Sequence, residues 1–193
     1  MTTSRMEGAP RLHLETVEQW RAWLEENGAV SDGVWLVSWK AATGRPRVEY
    51  EDAVLEALCV GWIDGQAARL DDERSMQWYA PRSPASTWAA TNKARVARLT
   101  AEGRMRPAGQ RLVDLAKANG MWTVLDGPEA GVEPPELSAA LDAVPAARAA
   151  WDGFPPSSRK MGLTAIAMAR KPETKAARIA RIVADAAEGR RPA

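Results

Sequence analysis

Asp64 lies within the run Gly61-Trp62-Ile63-Asp64-Gly65, ahead of Arg69 and Arg82, and Trp62, Trp78, Trp88 and Trp122 are spread over the same central stretch. A carboxylate at the end of a short strand, between glycines that permit close backbone approach, can serve as a general acid or base if its surroundings raise its pKa or supply a partner. Arg69 or Arg82 can instead hold it ionised, and the same aspartate can cap a turn. Tryptophan joins a flat apolar face to a single N–H donor, so Trp62, Trp78 and Trp88 suit the stacking of a planar ligand. Arg82 offers a bidentate fork for a carboxylate or phosphate, and Asn92 offers an amide. Core packing competes for the same rings. Trp88 heads an apolar stripe and Trp62 sits in an apolar run, whereas Trp78 beside Tyr79 has polar neighbours.

Composition removes several other chemistries. A single histidine, His13, and a single cysteine, Cys59, leave no zinc ligand set and no internal disulfide. Cys59 lies between Leu58 and Val60, a setting for a buried, inert thiol. There is no glycine-rich phosphate loop and no nucleophile elbow. Ser157-Ser158-Arg159-Lys160 reads as a serine capping a helix rather than a serine and lysine pair. No metal or cofactor is expected. With 26 Lys plus Arg against 25 Asp plus Glu, bulk charge gives no pull toward nucleic acid. The basic residues Lys93, Arg95 and Arg98, like those from Arg170 to Arg181, follow the pattern of solvated helix faces, so nucleic acid is the least favoured partner. Residues 1–10 lack the apolar run of a signal peptide and no stretch nears the roughly 18 apolar residues of a membrane span, so a cytoplasmic protein is expected.

The elements that must position these residues follow from periodicity. A strand is predicted over 12–15, and Thr16 caps a helix through Trp20, Trp23 and Leu24 that ends at Asn27-Gly28. Alternation over 34–39 predicts a strand, and Val54, Leu55 and Leu58 predict a helix from Tyr50 to about Val60, stopped by Gly61. Residues 62–80, with an acidic middle from Asp71, read as two strands around a turn. Ser86 or Thr87 is expected to cap a helix carrying Trp88, Asn92, Val96 and Leu99 on one face, followed by a helix over 107–119. The Gly- and Pro-rich loop 127–135 is the expected boundary, with helices over 136–143, 146–152, 157–170 and 172–187 beyond it. The expected fold class is α+β: a small, mainly antiparallel sheet with flanking helices over 1–126, then an all-helical C-terminal module over 127–193.

Two groups of residues carry a resemblance. Glu56 to Gly65, Tyr79-Ala80-Pro81-Arg82, Ser86-Thr87-Trp88 and Asn92-Lys93-Ala94-Arg95-Val96 form the first. Pro135-Glu136-Leu137, Trp151, Pro156-Ser157-Ser158-Arg159, the run Ala169 to Lys175 and Arg178-Ile179 form the second. In this order they resemble the bacterial YdeI/OmpD-associated proteins, often labelled bacteriocin-protection proteins. The resemblance implies an α+β part with a helical C-terminal module and a role in tolerance to antimicrobial peptides or envelope stress. It brings no catalytic residue set. Lys175 and Ala177 depart from an arginine-rich pattern of such proteins, as do Ser83 and Ala85, which weakens any role for a dense arginine cluster.

The function expected from these residues is non-catalytic binding of a small aromatic or peptide-like molecule in a tryptophan-lined cleft. Trp62, Trp78 and Trp88 would supply the stacking surface, Arg82 and Asn92 would fix polar groups, and Asp64, with Arg69 near it, would select a cationic group or orient an arginine. The alternative is an enzyme that uses Asp64 as general acid or base in the same cleft. Catalytic residues and oligomeric state stay open at this level.

Overall fold

The computed structural model describes residues 6–192, so the first half of the polar leader expected over 1–10 lies outside the described residues. The chain divides into two compact units, one running up to Ser86 and resuming over Asn92–Ala118, the other made of Thr87–Thr91 and Asn119 onward. Among the described residues no helix is long and apolar enough to cross a membrane.

The first unit is a four-stranded mixed sheet with helices. Strands β1 (Arg11–His13), β2 (Val34–Trp39), β3 (Trp62–Arg69) and β4 (Arg74–Pro81) are ordered β1-β2-β4-β3. The pair β1 and β2 is parallel, and the other two pairs are antiparallel. Helix α1 (Val17–Asn27) opens on a capping box, in which Gln19 N–H donates to Thr16 Oγ1 and Thr16 N–H donates to Gln19 Oε1. The β3–β4 turn is closed by Asp71, whose Oδ1 accepts from the backbone N–H of Glu73 at 3.0 Å and of Arg74 at 2.7 Å.

Helix α2 (Tyr50–Cys59) lies at the centre, buried without a break from Ala53 to Cys59. Its one buried charge is Glu56, 4% exposed, which accepts from Arg21 Nε at 2.9 Å and Nη2 at 2.6 Å and from Arg104 Nη2 at 2.7 Å. Trp20 Nε1 donates to Ala53 O, fastening α1 to α2. Helices α3 (Ala90–Ala101) and α4 (Pro107–Ala118) follow. Helix α4 meets the end of α2 through Gly109, where a Cβ would stand against Cys59 O and 2.7 Å from Leu58 O. The chain turns between α2 and β3 at Gly61, whose φ of 85° suits glycine.

Trp88 differs from its expected place. Helix α3 begins at Ala90, so Trp88 precedes the helix rather than heading its apolar face. The reason is tertiary: Glu129 Oε2 accepts from Ala90 N–H at 2.9 Å, and Met121 O accepts from Trp88 N–H at 3.2 Å. Both partners belong to the second unit, as does Trp88.

The second unit contains the short α5 (Asp126–Glu129), then α6 (Pro135–Asp142), α7 (Pro145–Gly153), α8 (Pro156–Ala167) and α9 (Pro172–Ala187). The last four each carry proline in the first turn, where its missing N–H costs no intrahelical bond. Leu137, Leu141, Trp151, Leu163, Ile166 and Ile182 lead their shared core. Burial of a side chain of this size stabilises by roughly 1.5–3 kcal/mol. Trp151 is fully buried, and its Nε1 donates to Glu133 Oε1 at 2.8 Å.

Two substitutions test this packing. Alanine raises intrinsic helix propensity by about 1 kcal/mol over glycine, yet Gly109→Ala should lower stability in urea unfolding by about 1–3 kcal/mol, because its methyl meets backbone carbonyls that cannot yield. For Glu56, burial raises the carboxyl pKa, but Arg21 and Arg104 outweigh it and hold the group below its ordinary 4.5. A depressed carboxyl pKa adds stability that is complete above about 4.5 and fades as pH falls through the folded value. Glu56→Gln should therefore destabilise the protein at neutral pH and flatten the acid limb of a Tm-versus-pH curve.

Candidate functional site

Asp64 sits on the edge strand β3 where the register with β4 slips: Asp64 pairs with Tyr79, and pairing resumes only at Ala67 with Gln77. The intervening bulge carries Gly65, where a Cβ would come 2.9 Å from Trp78 Cδ1, and Gly65 O accepts from Gln77 Nε2 at 2.7 Å. Tyr50, the first residue of α2, donates its hydroxyl to Asp64 Oδ2 at 2.7 Å. The next residue, Glu51, is gripped by Arg95 from α3, with Nε 3.0 Å from Oε1 and Nη2 2.5 Å from Oε2. The remaining Nη1 of Arg95 donates to Asn92 Oδ1 at 2.8 Å. Arg82 is buried, with its backbone N–H on Gly61 O, and burial pulls its guanidinium pKa down to about 10 against the opposing charge of Asp64.

Three of the seven expected site residues, Asp64, Arg82 and Asn92, therefore belong to one polar neighbourhood of the first unit, reached by Asn92 through Arg95. Arg69 turns to the hairpin instead, pairing with Asp72 and donating Nε to Asp71 O. Trp62 is 1% exposed, donates Nε1 to Gly28 O at 3.0 Å, and meets Trp23 edge-on at 5.8 Å. Trp78 is 7% exposed, packed edge-on to Trp35 at 5.4 Å and wedged against Gly33 and Gly65. Trp88 is buried in the second unit, 5.1 Å from Trp122.

Trp62 borders an open hollow of about 410 Å³ together with Gly61, Pro81, Arg111 and Leu112, whereas the more aromatic of the hollows is bordered by other residues. A groove of about 200 Å³ runs over β2 and β4 beside the start of α2, with Leu36, Trp39, Val48, Tyr50 and Met76 as its apolar wall. Ser38, Ser75 and Gln77 add neutral polar groups, and the two charged lining residues, Arg47 and Glu49, are joined to each other at 2.8–2.9 Å. Trp39 is held in place from several sides: Arg45 lies 4.2 Å over its ring, His13 meets it at 4.8 Å, and Nε1 donates to Glu15 Oε1 at 3.2 Å. Tyr50 is 52% exposed at the same groove. Reading Trp39 only as an alternating strand residue missed this. Its available signal was a strand-end tryptophan followed by the basic turn Arg45-Pro46-Arg47. Among the described residues no cluster of His, Cys, Asp or Glu has the grouping to hold a metal ion.

Residues 12–112, just over half the chain, match the family described as Domain of unknown function (DUF8412). Residues 131–189 match the family described as Bacteriocin-protection, YdeI or OmpD-Associated. The second group of resembling residues, from Pro135 to Ile179, falls within that second match, while the Gly61 to Gly65 run falls within the first. Comparison with curated proteins and with solved structures gave no match.

The chain has only two tyrosines, and both stand beside Asp64. Desolvation, then the hydrogen bond to the Asp64 carboxylate, pushes the Tyr50 phenol up to about 12, and burial raises Tyr79 as well. At neutral pH Tyr50 is thus a proton donor to Asp64 and not a base. A raised phenol pKa contributes stability that is whole below the ordinary value of about 10 and is lost as pH climbs through the folded value. Phenolate absorbance of the native protein should be nearly absent at pH 10, where half the phenols of an unfolded chain have ionised. Asp64→Asn should move the Tyr50 titration down without returning it to the ordinary value, because desolvation is the larger cause.

Proposed function

We propose that this chain, which belongs to the family described as Domain of unknown function (DUF8412) and continues into a module of the Bacteriocin-protection, YdeI or OmpD-Associated type, binds a small aromatic or peptide-like molecule without transforming it. The observation that carries the reading is the groove over β2 and β4, in which two aromatic faces, Trp39 and Tyr50, border a hollow whose charged residues neutralise each other. At about 200 Å³ it is smaller than the roughly 300–1,000 Å³ of drug-sized ligand sites, so it suits one ring or one or two side chains of a peptide. Trp39 supplies a stacking face already fixed by Arg45 and Glu15, so little side-chain entropy is lost on binding. Asp64, which accepts from the Tyr50 hydroxyl, is the acid to which this reading assigns the selection of a cationic group on the ligand. Tolerance to stress or to antimicrobial peptides in the cytoplasm is the role this reading assigns, and the second unit is the part that matches the bacteriocin-protection family.

One observation favours a second reading, in which Asp64 acts as general acid or base: its carboxylate already holds a proton donor at 2.7 Å. The two readings separate at Asp64→Asn. Catalysis predicts lost turnover with affinity nearly intact, and selection of a cation predicts weakened affinity.

Titration of indole, tryptophan amide and a short cationic peptide, followed by intrinsic fluorescence, tests the main reading. Saturable binding of at least one probe is expected, with Trp39→Ala weakening it by about tenfold or more, roughly 1.4 kcal/mol. No response from any probe, or unchanged affinity in Trp39→Ala, would refute it.

A further inference from the structure

A second hollow of the first unit shares no lining residue with the groove and has the opposite character. It is a cleft of about 260 Å³ bordered by α1, the last turn of α2 and the segment after α3. Three guanidiniums line it, Arg21, Arg104 and Arg106, against two carboxylates, Glu25 and Glu56. Glu102, which also bonds Arg104, is offset by its own pairing with Arg98, and Glu18 acts on Arg21 by charge without bonding it, so the lining residues by themselves keep an excess of one positive charge.

The arrangement of these charges matters more than their number. Glu56 is sealed in the core and binds Arg21 by both Nε and Nη2 and Arg104 by Nη2, which fixes the planes of two otherwise flexible side chains. Each guanidinium has five N–H donors, and this network leaves several unused. Among the described residues, Arg21 Nη1 has no hydrogen-bond partner, and Arg106 bonds only Glu25 through its side chain. Arg21, Arg104 and Arg106 are 41%, 32% and 54% exposed at the side chain, so the donors remain reachable from solvent. Cys59 adds a neutral wall, since burial pushes its thiol up to about 11. Forked donors held by a buried acceptor, around a hollow with one uncompensated cation, match the geometry of an oxyanion.

We infer that this cleft is a binding site for a small oxyanion, a phosphate or carboxylate group, held by Arg21, Arg104 and Arg106 with Glu56 as the residue that positions the first two. At about 260 Å³ the cleft has room for the anionic group and a small part of what carries it, so the ligand is a small anion or the charged end of a larger molecule.

Calorimetric titration of the full chain with sodium phosphate, and separately with sodium acetate, at ionic strength held constant by sodium chloride, tests the inference. Saturable binding of at least one anion is expected, and the tighter of the two identifies a tetrahedral or a planar ligand. Arg106→Gln removes the excess charge at a half-exposed position and should weaken binding by about fivefold or more. Glu25→Gln frees the same arginine and should tighten binding. Lys117→Gln, which removes an equal charge outside the lining, should leave affinity unchanged. Absence of saturable heat with both anions, equal affinity in Arg106→Gln and the parent protein, or an equal loss in Lys117→Gln would overturn the site and reduce the network to an ion-paired brace.

Discussion

A carboxylate enclosed in an otherwise apolar helix sets the terms for the first unit. Removing Glu56 from water is costly, and the helix tolerates it only because Arg21 and Arg104 approach from positions 35 and 48 residues away in the chain. That requirement fixes the rotation of α2 about its own axis, since any other rotation would strand the charge among leucines. With the rotation set, Ala53 O meets the Trp20 indole, Tyr50 reaches the edge of the sheet, and Gly109 can bring α4 against the final turn. Buried pairs of this kind contribute less to net stability than their short distances suggest. Their larger effect is to exclude alternative packings of the same apolar residues.

The same helix joins two chemically unlike hollows. Its first turn gives Tyr50 to the neutral, aromatic groove, and its last turns give Glu56 and Cys59 to the arginine-bordered cleft. Asp64 and Glu56 therefore sit near opposite ends of one ten-residue segment, one facing a phenol and the other two guanidiniums. The second unit is built differently, on an aliphatic core around Trp151 with one acid, Glu133, accepting from both that indole and Arg148.

Local rules were readable where the partners lie within a few residues. Thr16 and Gln19 announce the start of α1, Gly61 ends α2, Asp71 closes the hairpin, and Ile179, Ile182 and Ala186 recur at helical spacing along α9. The α+β class and the helical C-terminal part followed from such signals. What stayed illegible depends on distant partners. Trp62 and Trp78 carry no mark that says Gly28 O and the bare faces of Gly33 and Gly65 will enclose them. Trp88 looks like the head of a helix until Glu129, 39 positions later, supplies the acceptor at Ala90. The openness of Trp39 follows from the geometry of the sheet and the Arg45 turn and not from its own neighbours. Asp64 stands out in the sequence as an acid beside glycine, but nothing local to Tyr50 marks it as the partner, 14 positions away.

The slip in β3 has an effect beyond placing Asp64. This strand is a border of the sheet, eight residues long, and a straight border of that length offers a row of amides and carbonyls to any passing chain. The extra length between Asp64 and Ala67 breaks that row in the middle, and the Gly65 carbonyl is already occupied by Gln77. A foreign strand could stay in step for only a few residues on either side, so the sheet ends within its own molecule instead of serving as a template for growth.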